Sequence, residues 1–136
     1  MIFNRMNIFQ KDLKEVNLED LQRLKTINEG WFIEYKSSNP GAKKIANSIA
    51  SFANTYGGFY FLGIESSHNN NLPFKFDGVP DSPNIIHDSV RGNVNPFPYF
   101  EVYPIKVNEK NNVIMVHVLE GENTPYISYD GRIYRR

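Results

Sequence analysis

The sequence lacks cysteine, and this excludes a disulfide framework, a thiolate zinc site and a cysteine nucleophile. It also lacks an excess of either charge, since 15 basic and 15 acidic residues cancel, so a polyanionic partner would have to be held by a local patch. No stretch approaches the ~20 apolar residues of a membrane span, and no signal-peptide core opens the chain. We therefore expect a cytoplasmic protein with no membrane partner.

Length and composition predict a single domain. The 136 residues are 40% hydrophobic, which is enough for one core but leaves no room for a second full domain. The histidines have no zinc-ligand spacing, and the chain has no G-x-x-x-x-G-K-[ST] nucleotide loop. A metal or nucleotide site would therefore have to use other residues.

A helix and a strand are predicted first. Asn17 can cap a helix that ends near Asn28 and carries leucines at helical spacing. Side chains then alternate from Trp31 to Lys36, which predicts a strand that places Glu34 and Lys36 on one face. Trp31 lies on the same face of the predicted strand as Ile33 and Tyr35, so we expect it in the core.

A second helix and a buried strand follow. Residues 41–55 carry one apolar stripe, and residues 59–64 are almost continuously apolar, as expected of a central strand covered on both faces. A helix between two strands predicts that these strands are parallel. In the break between them, glycines supply unusual backbone and polar side chains are expected to satisfy nearby backbone groups at the helix end. The residues of this structural turn are Asn54, Thr55, Gly57 and Gly58.

The second half of the chain predicts further strands. A polar loop rich in Asn and Pro leads to a short helix over residues 82–90. Residues 99–107 and 113–119 are expected to form an antiparallel hairpin, and Asp130-Gly131 to turn between two short terminal strands. The expected fold class is therefore α+β, with a mixed β-sheet flanked by helices.

Several motifs occur in an order that resembles one family, the Schlafen AlbA_2 domain family. Its pattern is E-[FY]-K, then A-F-A-N-T-x-G-G, then a strand that ends in G-[VI]-[DE]. The matching segments here are E-Y-K at 34–36, S-F-A-N-T-Y-G-G at 51–58, G-I-E at 63–65, D-G-V at 77–79 and G-R-I-Y-R at 131–135. Several ordered motifs are more specific than any one of them alone.

The resemblance implies a domain division and a function. An AlbA_2 (Schlafen-like) domain is expected over residues 28–136, preceded by a helical extension over residues 1–27. Members of the family usually continue beyond this point, so we also expect further sequence after Arg136. The family is described as DNA-binding or divergent ATP-binding. The resemblance therefore implies a module that binds nucleic acid, DNA or RNA, within a bacterial regulator or defence protein.

The family also includes metal-dependent endoribonucleases that cut tRNA and rRNA with three carboxylates. Carried over by motif, these are Glu29, Glu34 and Glu65, with Lys36 as a further candidate at the catalytic site. Carboxylate oxygens suit Mg²⁺ or Mn²⁺, so the same three acids are the candidate metal ligands. In a regular strand Glu29 and Glu34 point to opposite faces, so they converge only if Gly30 bends the chain. The vertebrate enzymes join two related lobes, so a comparable groove here would require a homodimer.

Basic and aromatic side chains are concentrated near the carboxyl terminus. Arginine interleaved with tyrosine suits phosphate contact and base stacking, and two lysines at the start of the second helix are expected to join them. The candidate nucleic-acid-binding residues are Lys43, Lys44, Arg132, Tyr134, Arg135 and Arg136. A solvated tail is the alternative explanation of the same pattern.

Three functions stay open at this point. The first is a nucleic-acid-binding module without catalysis and without a cofactor. The second is a Schlafen-like endoribonuclease that uses Mg²⁺ or Mn²⁺. The third is a protein-interaction module, which the zero net charge permits. Binding that falls steeply with salt would favour the first two over the third.

Overall fold

A four-stranded mixed sheet forms the centre of the described chain, which comprises residues 8–136 of a computed structural model. The strands are β1 (Ile33–Lys36), β2 (Gly58–Leu62), β3 (Glu65–Ser66), β4 (Pro73–Lys75), β5 (Val94–Asn95), β6 (Phe100–Lys106), β7 (Asn112–Val118) and β8 (Ile127–Ser128). The described α-helices are α1 (Ala42–Ala53) and α2 (Ile85–Val90), and 3-10 helices cover Leu13–Glu15 and Asp20–Thr26. The α+β fold class predicted from the sequence is confirmed. Within the described residues, no helix is long and apolar enough to cross a membrane.

The strand order of the central sheet is β1-β2-β7-β6. Strands β1 and β2 are parallel, with Glu34 opposite Tyr60, and α1 is the crossover between them, as the sequence predicted. Strand β7 is antiparallel to both β2 and β6, so the predicted β6–β7 hairpin is also confirmed. Two short strand pairs, β3 with β4 and β5 with β8, lie outside this sheet.

Strand β2 is buried over its whole length because both faces of the sheet are covered. Tyr60 and Leu62 pack on one face against α1 and α2. Phe59 and Phe61 pack on the other face against amino-terminal side chains. Successive residues of a strand point to opposite faces, so a strand covered on both sides is apolar throughout.

The amino-terminal segment covers the second face of the sheet. Its buried apolar side chains are Phe9, Leu13, Val16, Leu21 and Leu24. The helix predicted from Asn17 is present as the 3-10 helix Asp20–Thr26 and not as an α-helix that continues to Asn28. Asn17 does act at its start, because the Asp20 N–H donates to Asn17 Oδ1 and the Asn17 N–H donates to Asp20 Oδ2. Ile27 has extended backbone, which ends the helix.

The first strand begins at Ile33 and not at Trp31. The Gly30 N–H donates to the Ile33 carbonyl (3.0 Å), so the chain turns before the strand. Trp31 lies in this turn and is 57% exposed. The prediction that Trp31 is a core residue is therefore wrong.

The terminal hairpin predicted around Asp130-Gly131 is wrong in its pairing. The Gly131 N–H donates to the Ser128 carbonyl (2.8 Å), and the Ser128 N–H donates to the Arg132 carbonyl (2.9 Å), which closes a tight turn. Strand β8 pairs with β5 instead. Because β5 lies much earlier in the chain, no local pattern around the turn could reveal this partner.

Close packing requires glycine at the end of α1. Gly57 and Gly58 have positive φ angles of 76° and 151°. A Cβ atom at Gly57 would lie 2.5 Å from the Val118 carbonyl oxygen, and one at Gly58 would lie 2.5 Å from the Phe32 carbonyl oxygen. The sheet therefore has no room for a side chain at either position.

Candidate nucleic-acid interface

The carboxyl-terminal segment runs along α1 and is fixed to it by one side chain. Asn54, at the end of α1, donates from Nδ2 to the carbonyls of Tyr126 (2.9 Å) and Tyr134 (3.0 Å). Its Oδ1 accepts from the Tyr126 N–H (2.7 Å). Between these tyrosines the chain extends until Tyr129 lies beneath Lys43, at the first turn of α1, and then returns. A single amide therefore holds both ends of this loop.

Asn54 and Thr55 were expected to bond only with nearby backbone groups at the end of α1, and the structure shows distant partners as well. Thr55 Oγ1 donates to the Ser51 carbonyl one turn back (2.8 Å) and also accepts from the Arg136 N–H (3.0 Å). Asn54 uses its side chain on Tyr126, which is 72 residues away in the sequence. The helix end is thus a tie to the carboxyl-terminal segment as well as a turn.

The guanidinium of Arg136 lies between α1 and the start of β1. Its Nη1 donates to Glu34 Oε1 (2.7 Å), and its Nη2 donates to the Gly30 carbonyl (2.8 Å). The guanidinium carbon is 4.1 Å from the centre of the Phe52 ring. The side chain of Arg136 is 15% exposed and that of Glu34 is 11% exposed. Arg136, which the sequence suggested for phosphate contact, has its charge neutralised by Glu34 in this arrangement.

Glu34 has three partners on the helix-facing side of the sheet. Besides Arg136, its Oε2 accepts from the Ser48 hydroxyl (3.0 Å) and lies 3.5 Å from Lys36 Nζ. The predicted placement of Glu34 and Lys36 on one face is confirmed, although Glu34 is buried and not at the surface. Tyr60 lies opposite on β2, and burial, with a smaller effect of the Glu34 charge, raises the pKa of Tyr60.

The three candidate metal-ligand carboxylates are not gathered at one point. The chain does turn at Gly30, and Glu29 Oε2 accepts from the N–H of Tyr35 (2.9 Å), the residue that follows Glu34 in β1. Glu65 is exposed in β3, opposite Lys75 of β4. Residues 8–136 contain no group of three His, Cys, Asp or Glu side chains that could hold a metal ion. Mg²⁺ and Mn²⁺ need several oxygen ligands around one centre, and the described residues show no such group.

The start of α1 contacts the carboxyl-terminal loop (residues 126–134), and both segments carry exposed cations. Lys43 Nζ lies 4.9 Å from the centre of the Tyr129 ring, a cation–π contact that joins the start of α1 to the loop. Lys44 is exposed next to it in the helix, Arg132 is exposed on the loop, and Arg135 is exposed directly after it. We refer to Lys43, Lys44, Tyr129 and Arg132 as the basic surface.

One carboxylate lies within this loop and has its partners there. Asp130 accepts from the Tyr134 hydroxyl (2.6 Å) and from the Arg132 N–H (3.0 Å). The hydrogen bond between the Tyr134 hydroxyl and the Asp130 carboxylate lowers the pKa of Asp130 and raises the pKa of Tyr134. The hydroxyl of Tyr134, a candidate for nucleic-acid contact, therefore holds the turn.

Two grooves carry exposed aromatic rings that were not predicted as site residues from the sequence. The Phe97 groove, of about 460 Å³, lies beside the β5–β8 pair, and its lining includes Asn93, Asn95, Phe97, Ile127, Ser128 and Tyr129. The Trp31 groove, of about 500 Å³, has a lining that includes Ile8, Ile27, Trp31, Phe32, Tyr56 and Glu120. A signal for Phe97 was present in the sequence: prolines flank it on both sides, and they are poorly compatible with a central strand.

Comparison with known proteins gives a family and a fold. The sequence matches the family described as Schlafen, AlbA_2 over residues 29–136. The structure is similar to the amino-terminal domain of a Nitrosomonas europaea protein named as ATP-dependent DNA helicase RecG-related, with 23% identity and a TM-score of 0.64 over 85% of this chain and 84% of that one. It is also similar to the DIP2311 protein of Corynebacterium diphtheriae, with 20% identity and a TM-score of 0.58 over 78% of this chain. The match spans 20% of the DIP2311 chain, and no curated protein matches the sequence.

Proposed function

The chain belongs to the Schlafen AlbA_2 family, and from this premise we propose that it is a nucleic-acid-binding module that uses the basic surface. The observation that carries the proposal is the position of Lys43 over the exposed Tyr129 ring (4.9 Å), because this contact joins the lysine-bearing start of α1 to the arginine-bearing carboxyl-terminal loop. Lysine and arginine bind phosphates, and aromatic rings stack on bases. Arg135, exposed directly after the loop, adds a further cation.

The distribution of charge supports the same partner class. The chain as a whole has no net charge, so affinity for a polyanion has to come from a local excess of cations. On the basic surface three cations are exposed, whereas the neighbouring Asp130 carboxylate already accepts two hydrogen bonds. The similar domain from Nitrosomonas europaea belongs to a protein named as related to a DNA helicase, which also favours nucleic acid.

The endoribonuclease that acts on tRNA or rRNA stays the alternative prediction. It would require Glu29, Glu34 and Glu65 to gather around Mg²⁺ or Mn²⁺, whereas Glu34 pairs with Arg136 and Glu29 accepts from the Tyr35 N–H. The homodimer belongs to this alternative. Metal-dependent cleavage of tRNA that disappears in Glu34→Ala would favour it over binding alone.

We also keep the division of the chain as a proposal. Residues 28–136 are the AlbA_2 domain, residues 1–27 are the extension that precedes it, and the protein is cytoplasmic.

A protein-interaction module is the weaker alternative, and it differs from the main proposal in how its binding depends on salt. Contacts with phosphates release counterions, so nucleic-acid binding weakens with salt far more than apolar contacts do.

Salt dependence of oligonucleotide binding tests the main proposal. Fluorescence anisotropy with a labelled single strand and its duplex would give Kd between about 50 and 200 mM salt. We expect log affinity to fall linearly with log salt, and K43A/K44A/R132A to weaken binding and flatten the slope by about 2 to 3, because each lost phosphate contact removes about 0.7 to 0.9.

The matched control is K106A/K110A, which removes two exposed lysines at the β6–β7 turn. It should leave the affinity and the slope unchanged. Binding that does not depend on salt, or an equal loss in the control variant, would contradict the proposal.

A further inference from the structure

The Phe97 groove presents two exposed aromatic rings. Phe97 is 50% exposed and Tyr129 is 45% exposed, and both line this groove of about 460 Å³. The volume lies within the range of roughly 300–1,000 Å³ that is typical of small-molecule sites. Exposed rings in a concave site offer a surface on which a flat base can stack.

The Phe97 ring is supported by other rings. Its centre lies 5.6 Å from the centre of the buried Phe100 ring and 6.3 Å from that of His87. His87 in turn lies 4.7 Å from Phe100, so the three rings form one packed group. A ring that is already held in place loses little conformational entropy when a ligand stacks on it.

Charge distinguishes the Phe97 groove from the Trp31 groove. The described lining of the Phe97 groove carries no acidic side chain, and Lys43 lies over its Tyr129 ring. Among the described residues that line the Trp31 groove, the only charged side chain is Glu120. A ligand that carries phosphates is therefore favoured at the Phe97 groove and disfavoured at the other.

Polar groups in the Phe97 groove suit the edge of a base. Asn95 is exposed and carries both a donor and an acceptor on its side chain. Ser128 lies in the lining, and within residues 8–136 its buried hydroxyl has no hydrogen-bond partner. A base has donors and acceptors of its own on its edges, which such groups can bond.

We propose that the Phe97 groove binds one unpaired base of single-stranded nucleic acid, while the basic surface holds the adjoining phosphates. This inference rests on the proposed function and adds the substrate class to it. In a duplex the bases are stacked and paired, so a base reaches such a groove only after it leaves the stack, which costs a few kcal/mol. The module is therefore expected to bind single strands more tightly than duplexes.

Replacing the supported ring tests the inference most cleanly. In Phe97→Ala, affinity for a single strand that contains 2-aminopurine should fall by about 5- to 150-fold, the range expected for one stacked base, and duplex affinity should not change. Quenching of the 2-aminopurine fluorescence by the wild-type protein should be lost as well. Tyr129→Ala should act in the same direction and should also lower duplex affinity, because it removes the ring beneath Lys43.

Tyr99→Ala is the matched control, since Tyr99 is 61% exposed, lies close in sequence and is absent from the lining of the groove. It should leave both affinities unchanged. Thermal unfolding of each variant should remain cooperative, because the replaced rings are about half exposed and none belongs to the buried core.

Three results would overturn the inference. If Phe97→Ala leaves single-strand affinity unchanged, or lowers single-strand and duplex affinity equally, the Phe97 groove does not bind a base. The proposed function still stands in that case if K43A/K44A/R132A weakens binding. If the single strand quenches the fluorescence of Trp31, the sole tryptophan, and Phe97→Ala does not reduce this, the base lies in the Trp31 groove. If the wild type binds neither form, the proposed function and this inference both fail.

Discussion

Replacing Arg136 by alanine is expected to lower the free energy of unfolding by about 2–4 kcal/mol. The change removes the hydrogen bonds to Glu34 (2.7 Å) and to the Gly30 carbonyl (2.8 Å), together with the contact with the Phe52 ring (4.1 Å). Breaking one side of a buried ion pair costs about 3–5 kcal/mol. The loss is reduced here because Lys36 and Ser48 remain beside Glu34.

A double-mutant cycle separates the ion pair from the packing. Arg136→Met combined with Glu34→Gln removes both charges and keeps an unbranched side chain against Phe52, so it should be more stable than Arg136→Ala. The coupling energy between Glu34→Gln and Arg136→Ala should be at least about 1.5 kcal/mol. Urea unfolding followed by circular dichroism measures each value, with the m-value unchanged across the series.

The neighbouring Arg135→Ala is the control, because that side chain is exposed and should change stability by no more than about 0.5 kcal/mol. If Arg136→Ala costs as little as Arg135→Ala, the pair contributes nothing to the fold.

Three further predictions concern the fold. Asn54→Asp replaces the donor Nδ2 by an oxygen that faces the carbonyls of Tyr126 and Tyr134, so the free energy of unfolding measured in urea should fall by about 2–4 kcal/mol. A decrease below about 0.5 kcal/mol would contradict a stabilising role for these hydrogen bonds. Burial lowers the pKa of His117, so as the pH falls through ~6.5 the unfolded state takes up a proton before the folded state does. The free energy of unfolding should therefore decrease on acidification in this range, and His117→Gln should reduce this dependence on pH. Removal of residues 1–27 uncovers Phe59 and Phe61, so the shortened chain should aggregate or bind a hydrophobic dye, and a monomer with cooperative unfolding would contradict this.

Local patterns were enough to predict the centre of the fold. The continuous apolar run of β2 and the helical stripe of α1 each follow from burial on one or two faces of a regular element. The parallel pairing of β1 with β2 followed from the helix between them. The position of Glu34 and Lys36 on one face needed only the alternation of side chains in a strand.

Contacts between distant parts of the sequence were not predictable in this way. The ion pair of Glu34 with Arg136 spans 102 residues, and nothing near either residue marks the other as its partner. The same holds for the pairing of β5 with β8 and for the bonds that Asn54 makes with the carboxyl-terminal loop. The candidate nucleic-acid-binding residues that are exposed are Lys43, Lys44, Arg132 and Arg135. Only the folded chain shows that Lys43 meets the loop at Tyr129.

Amide NMR shifts of the ¹⁵N-labelled protein during titration with a short single-stranded oligonucleotide would show whether the basic surface binds nucleic acid. We expect the largest shifts at Lys43, Lys44, Tyr129 and Arg132, and we expect them to diminish as salt is raised. The β6–β7 turn and the indole N–H of Trp31 should not shift. Shifts confined to the Trp31 groove, or no shifts at any salt concentration, would contradict the assignment of the basic surface as a nucleic-acid-binding site.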